Sequence, residues 1–259
     1  MNRDRLQKPS NIKAYLTFIL FILLVWGSAV RVDADLGKLI LGFPEMGRIL
    51  REMWPPDWGY FPKIADAMLE TIRMAILGTT FGAILAVPIS LLSARNITRS
   101  PILYLSARLM MNLIRTIPNL LLAALFVAIF GIGPIAGIGA LTLFSFGLIA
   151  KLTYESLETI EKEPLEAMTA VGATKSQLIV FGVIPQILPQ FISYVLFTFE
   201  VNIRAAAVLG LVGAGGIGLY YDRTLGLMQY ERASSIILFT LAIVLLIDYF
   251  SVKIREKLI

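Results

Sequence analysis

The chain has 259 residues, 57 % of them hydrophobic and 16 % charged, with a mean hydropathy of +0.78. Soluble domains average about 45–50 % apolar and about 25 % charged residues, so the apolar surplus exceeds what soluble cores of this length absorb, and it excludes a disordered chain as well. Cysteine and histidine are both absent, which excludes disulfide and thiolate chemistry, imidazole bases and His-ligated metal sites.

The net charge is +5, but Lys and Arg fall in short clusters beside apolar runs. That is the pattern of membrane topology and not of a nucleic-acid-binding stripe. The composition therefore predicts an all-α polytopic membrane protein with no catalytic site, metal or cofactor of its own, in contact with lipid and not with nucleic acid.

A spanning helix needs about 20 largely apolar residues. The first such run is Ala14–Val30, behind a basic leader of Arg3, Arg5, Lys8 and Lys13. It is long for a signal-peptide core and Gly27-Ser28-Ala29 is a weak cleavage site, so it reads as a retained helix. The second span is Ile72–Leu92, with Pro88 near its end. The third is interrupted: Ile102–Leu113 and Asn119–Phe130 are apolar, but Arg115 and Pro118 stand between them, and an internal proline kinks or ends a helix. A Gly131–Gly137 turn leads to a fourth span at Ile138–Leu152. The fifth is Gln177–Phe199 with Pro185 and Pro189 inside it, and the sixth is Ser235–Val252 with Asp248. Six spans result. They divide the chain into residues 1–71, a tail, first helix and outer loop, and residues 72–259, a transmembrane core.

With the N-terminus in the cytoplasm, the inside segments carry twelve Lys/Arg and the longer outside segments nine. The density favours this orientation, which puts both termini in the cytoplasm and the interfacial aromatics of Trp54-Pro-Pro-Asp-Trp58 outside.

Two connections carry function. In the cytoplasmic loop at about 153–176, Leu157, Ile160, Leu165 and Met168 repeat at helical spacing among charges, giving an apolar face that needs a cover. Gly172 fits a helix C-terminus, and Thr174 with Gln177 forms a T-x-x-Q capping box. Two short helices joined at a glycine are expected, serving either as a connector packed on its own bundle or as a dock for a soluble partner.

The run Glu166-Ala167-Met168, three residues, Gly172, nine residues, then Gly182-Val-Ile184-Pro185 resembles the EAA-x3-G-x9-I-x-LP loop of ABC-importer membrane subunits. It departs from that pattern at Met168, Gly182 and Ile184. The resemblance implies that Glu166, Ala167, Met168 and Gly172 belong to a coupling helix seated on an ATP-hydrolysing subunit. The chain has no G-x-x-x-x-G-K-[ST] run, so ATP hydrolysis would belong to a partner. The second outside segment, Phe199-Glu200-Val-Asn202-Ile-Arg204 followed by Gly210, Gly213, Gly215, Gly216 and Gly218, is similar to that of phosphonate-transport permeases. So are Trp54–Asp57, Gly131–Pro134 and Asp248–Ser251. This implies a type I ABC importer permease in a bacterial cytoplasmic (inner) membrane. It would pair with itself as a homodimer, with two ATP-binding cassette ATPase subunits and with an outside-facing phosphonate-binding protein. Phosphite and hypophosphite importers look similar.

Gly213–Gly218 also fits G-x-G-x-x-G, but that fingerprint counts only between a strand and a helix. Many glycines permit close backbone approach, which serves tight helix packing or a gate in the pathway equally. Charges at membrane depth are costly. Glu200 and Arg204 stand at i, i+4 and either pair with each other or present Arg204 to an anion. Arg108 and Arg115 lie seven apart, on one face, and are expected to snorkel or face a cytoplasmic vestibule. Asp248 is expected to meet a cation across the bundle. The rival function is an ion-coupled secondary transporter of a small anion, which would need an intramembrane ion site. A membrane enzyme is weaker still, for want of any nucleophile–base constellation.

Overall fold

A computed structural model describes residues 12–32, 35–98 and 100–258. Arg3, Arg5, Lys8 and Arg99, counted above for orientation, lie outside the described residues. The chain divides into two units, residues 1–52 and residues 53–259.

In the first unit, α1 (Ile12–Arg31) is apolar around its whole circumference, as a lipid-spanning helix is. The sequence reading took the following segment as loop, yet it forms α2 (Leu36–Glu52). Its apolar residues fall on one stripe, including Ile40, Phe43 and Leu50, while Arg48 bridges Glu45 and Glu52 on the other side. That is the build of a helix lying along an interface. Gly37, Gly42, Gly47 and Pro44 hid it.

The second unit is a helical bundle. It contains α3 (Phe61–Ser93), α4 (Pro101–Thr116), α5 (Asn119–Phe130), α6 (Pro134–Glu158) and the short α7 (Glu163–Ala170). One turn, α8 (Lys175–Gln177), then passes through a π turn (Leu178–Val183) into α9 (Ile184–Leu209). Two further helices, α10 (Ile217–Gly226) and α11 (Tyr230–Arg255), complete it. Five helical segments are long and apolar enough to cross a membrane, and α4 with α5 makes a sixth as a pair bent by 87°. Six spans and the broken third one were thus legible in the sequence. The second span starts at Phe61 instead of Ile72, so α3 runs through the expected boundary at 71/72. Lys63, Asp66, Glu70 and Arg73 make its first three turns read as loop.

The core is the contact of α3 with α6, where small residues let the two backbones close. A Cβ on Gly78 would lie 2.5 Å from Leu141 Cβ, one on Gly82 would collide with Ser145 Cβ, and one on Gly137 with Met74 Cε. Gly78 and Gly82 stand four apart on α3, the spacing that brings membrane helices together. Next to this seam Asn202 of α9 is fully buried, and its Nδ2 donates to Thr79 Oγ1 at 2.7 Å and to Ser145 Oγ at 2.6 Å. One amide so ties α9 to α3 and α6. Around this seam Met74, Leu122, Leu141 and Leu209 form one apolar cluster.

The outer end is fastened by the Trp54–Trp58 segment. Ser235 Oγ donates to Asp57 O at 2.9 Å, Arg232 Nε reaches Asp57 Oδ2 at 3.4 Å, and Arg232 lies over the Tyr60 ring at 5.3 Å. Trp54 and Trp58 stay exposed, as interfacial aromatics do.

Gly82→Val should separate α3 from α6 and cost about 1–3 kcal/mol or more, by the general cost of overpacking. Gly226→Ala, where a Cβ meets nothing within 4 Å, should be neutral. The midpoint of thermal unfolding in detergent checks both.

Candidate functional site: coupling loop, outer glycine knot and buried charges

The loop between α6 and α9 folds into two short helical pieces joined at a glycine. Its α7 ends where Gly172 N donates to Thr169 O and Ala173 N to Met168 O, both at 3.0 Å. The turn needs Gly172 at φ +88°, a conformation that costs a side chain about 1–2 kcal/mol. The capping box is formed: Thr174 N donates to Gln177 Oε1 at 2.8 Å and Gln177 N to Thr174 Oγ1 at 3.4 Å. The apolar face of α7 rests on the π turn, where a Cβ on Gly182 would lie 2.5 Å from Leu165 Cδ2 and 3.2 Å from Met168 Sδ. Leu165 joins the cluster of Leu157, Val183 and Ile187. Met168 is therefore half-buried and turned toward the bundle, whereas Glu166, Ala167 and Gly172 are exposed. Val171 beside them is 86 % exposed. Of the two readings of this loop, connector and dock, the inner face serves the first and the outer face is free for the second.

The glycines at the far end of α9 pack into one buried knot. A Cβ on Gly210 would lie 2.5 Å from Gly218 Cα, and one on Gly218 would strike Ala207 O. Gly213, Gly215 and Gly216 all have positive φ. Gly216 faces Thr71 Oγ1, which a Cβ would approach to 2.5 Å. The start of α10 is then capped from a distant helix: Gly216 N donates to Glu70 Oε1 at 2.9 Å and Ile217 N to Thr71 Oγ1 at 2.8 Å. Gly133 N donates to Gly213 O at 2.9 Å, joining the knot to the turn before α6. Glu70 and Thr71 were missed in the sequence, because no local pattern tells that a helix is capped by residues so far away in the chain. The G-x-G-x-x-G run has no strand before it, being flanked by helices.

Asn202 stands on a different face of α9 from Glu200 and Arg204, which share one. Asn202 points into the core, as described above. Glu200 is buried and accepts from two arginines: Arg204 Nη2 at 2.7 Å and Arg255 Nη2 of α11 at 3.2 Å. The i, i+4 pair is thus formed. The second partner was not expected, since Arg255 was assigned only to the cytoplasmic flank. It reaches back along α11, and its Nε is buried without a partner. Asp248 has no hydrogen bond or ion pair among the described residues. The cation expected across the bundle from Asp248 is not found among the described residues.

A second polar node closes the end of the bundle at the α7 loop. Arg108 donates to Ser93 O from Nε at 2.9 Å and from Nη2 at 2.8 Å, and its Nη2 reaches Glu158 Oε1 at 2.5 Å. Its guanidinium stands 4.5 Å from the Tyr154 ring centroid, and Glu158 also accepts from Arg95 N at 2.9 Å. Arg108 therefore does not snorkel. It fastens α4 to the end of α3 and to the last turn of α6, beside the root of the coupling loop.

Comparisons with known proteins identify the family and the fold. Residues 78–257 match the family described as binding-protein-dependent transport system inner membrane component. The phosphite transport system permease protein PtxC of Stutzerimonas stutzeri is 35 % identical over 222 residues, covering 86 % of this chain and 81 % of that protein. The putative phosphite transport system permease protein HtxC of the same organism is 34 % identical over 218 residues, covering 84 % and 77 %. Among solved structures, an inward-facing MetNI methionine ABC transporter chain superposes with a TM-score of 0.69 at 24 % identity, over 78 % of this chain and 99 % of that one. It shows the fold to be that of a type I ABC importer permease. On the match over residues 78–257 and these relatives, the chain belongs to the family of binding-protein-dependent transport system inner membrane components.

Proposed function

We propose that the chain is the permease subunit of an ATP-driven importer of phosphorus oxyanions, phosphite or a phosphonate. Two copies would enclose the pathway, two ATP-binding cassette subunits would supply the energy, and a binding protein would deliver the anion from outside. The residues from α3 onward form the translocation core, both termini face the cytoplasm, and ATP hydrolysis belongs wholly to the partner. The substrate class is supported by the relatives named as phosphite transport permeases. Family membership favours this reading over an ion-coupled secondary transporter.

The observation that carries the mechanism is the two-faced loop around α7. Leu165 and Met168 anchor it on the π turn that starts α9, while Glu166, Ala167 and Val171 stand free. A partner that grips the free face moves α9 directly, because the π turn runs without a break into that helix. Movement of α9 carries Asn202, Glu200 and the glycine knot with it. Gly210, Gly213, Gly215, Gly216 and Gly218 then act as the close-packed hinge of an outer gate, and Arg204, half exposed beside Glu200, lies on the path side.

Glu166→Ala should weaken capture of the ATPase subunit, since truncating one partner of a buried charge pair typically costs about 2–5 kcal/mol. Gly172→Val should abolish transport by straining the turn at φ +88°. Co-purification of the ATPase subunit and uptake into reconstituted vesicles check both, and parental behaviour in both variants would remove the coupling role. Gly216→Val should stop transport but leave ATPase-subunit binding intact, because its clash is with Thr71 of α3. In intact cells an impermeant thiol reagent should label Trp54→Cys and spare Glu166→Cys.

A further inference from the structure

Arg115 differs from the other arginines at membrane depth. Arg108, Arg204 and Arg255 each bind a carboxylate, but the guanidinium of Arg115 has no hydrogen bond or ion pair among the described residues. Its depth follows from its neighbour. The stem lies on Gly147, whose Cβ would sit 2.5 Å from Arg115 Cγ, and Gly147 is near the middle of α6 (Pro134–Glu158). Arg115 thus stands about half-way across the bundle, too far from either surface to snorkel, which leaves the second expectation, that it faces a water-filled vestibule. It is exposed, and an exposed unpaired cation at that depth is tolerated only against water or a charge, not against acyl chains.

Its surroundings are polar in the same direction. Arg108, Asn112 and Arg115 follow at i, i+4 and i+7 along α4, a single stripe that starts at the Arg108–Glu158 node. At the elbow Arg115, Thr116 and Asn119 line one cavity of about 470 Å³, walled on the other side by Phe144 and Leu148 of α6. That is room for a small tetrahedral oxyanion with its remaining water. A guanidinium presents a planar fork that matches two oxygens of such an anion, and Asn119 adds an amide donor.

We propose that the α4–α5 elbow is the anion-selective station of the pathway, where Arg115, with Asn119 beside it, takes the phosphorus oxyanion from the outer gate and passes it down the α4 stripe toward the cytoplasm. The inference rests on the reading of the chain as a phosphorus-oxyanion importer. It explains why this arginine, unlike Arg108, Arg204 and Arg255, is left without a carboxylate: a built-in counter-ion would compete with the cargo. Glu200, which neutralises Arg204 and Arg255, leaves those two as structural charges by comparison.

The test uses the full complex, with its ATPase subunits and binding protein, in vesicles. Arg115→Met keeps the stem on Gly147 and removes the charge, while Arg115→Lys keeps both. Uptake of phosphite or methylphosphonate should fall about tenfold or more in the Met variant and recover in large part in the Lys variant, as loss of a charge-assisted hydrogen bond predicts. Co-purification with the ATPase subunit reports assembly. Parental uptake by Arg115→Met, or equal loss in Met and Lys, would overturn the proposal. If the parent complex moves neither anion, the importer reading fails instead. A second measurement needs no Arg115 variant. In this cysteine-free chain, Asn112→Cys and Asn119→Cys should react with a small anionic thiol reagent in water, and millimolar phosphite should slow Asn119→Cys, while Leu113→Cys round the helix stays unlabelled. Failure of Asn112→Cys and Asn119→Cys to label, or equal labelling of all three, would show that the stripe faces no aqueous path.

Discussion

Everything in the bundle depends on how closely α3 and α6 approach. Inside a membrane, burial of apolar surface gives helices little reason to prefer each other to lipid, so packing contact and interhelical hydrogen bonds must hold them. Gly78, Gly82 and Gly137 remove the side chains that would keep the two backbones apart. Only with the backbones that close do Thr79 and Ser145 come within reach of one amide, that of Asn202. The position of α9 is set by that node, and α9 in turn carries Glu200 and Arg204 and begins at the loop of α7. A defect in the seam would therefore be felt at the coupling loop and at the outer knot alike.

Charge is managed by the same geometry. Glu200 is buried, and a lone carboxylate there would be costly, so two arginines converge on it from two helices. Arg108 and Glu158 do the same at the cytoplasmic end, with the Tyr154 ring over the guanidinium. Both nodes join separate helices: α9 with α11, and α4 with the ends of α3 and α6. Against that background Arg115, half-way across and beside a cavity, is exposed and has no carboxylate partner among the described residues.

The loop around α7 shows how one segment can have a packed face and a free face. Its apolar residues are spent inward, on Gly182 and the cluster of Val183 and Ile187, which fixes it to the bundle. Its acidic and small residues are left outward, which suits a surface that must be recognised by a soluble partner. The π turn beneath it is a wider coil than the α-helix it leads into, a departure frequently found at functional sites, and it places Gly182 where Leu165 can settle.

The sequence by itself determined the class and the punctuation of this protein. Apolar runs of spanning length, Pro118 after Arg115, the Thr174–Gln177 capping box and Gly172 are local features, so the six spans, the broken third one and the bent loop were legible without coordinates. The Glu200–Arg204 pair was legible for the same reason, as it depends only on helical spacing. What the tertiary structure alone decided were contacts between residues remote in the chain. These are the capping of α10 by Glu70 and Thr71, the convergence of Arg255 on Glu200, the three-helix node at Asn202 and the clamp of Arg108 on Glu158. The start of α3 and the whole of α2 also escaped, because charged and glycine residues there satisfy water or an interface and so break the hydrophobic run that marks a helix in a membrane chain. The depth of Arg115 belongs to the same group: its place in the sequence marks a break, and only its contact with Gly147 puts that break at the centre of the bundle.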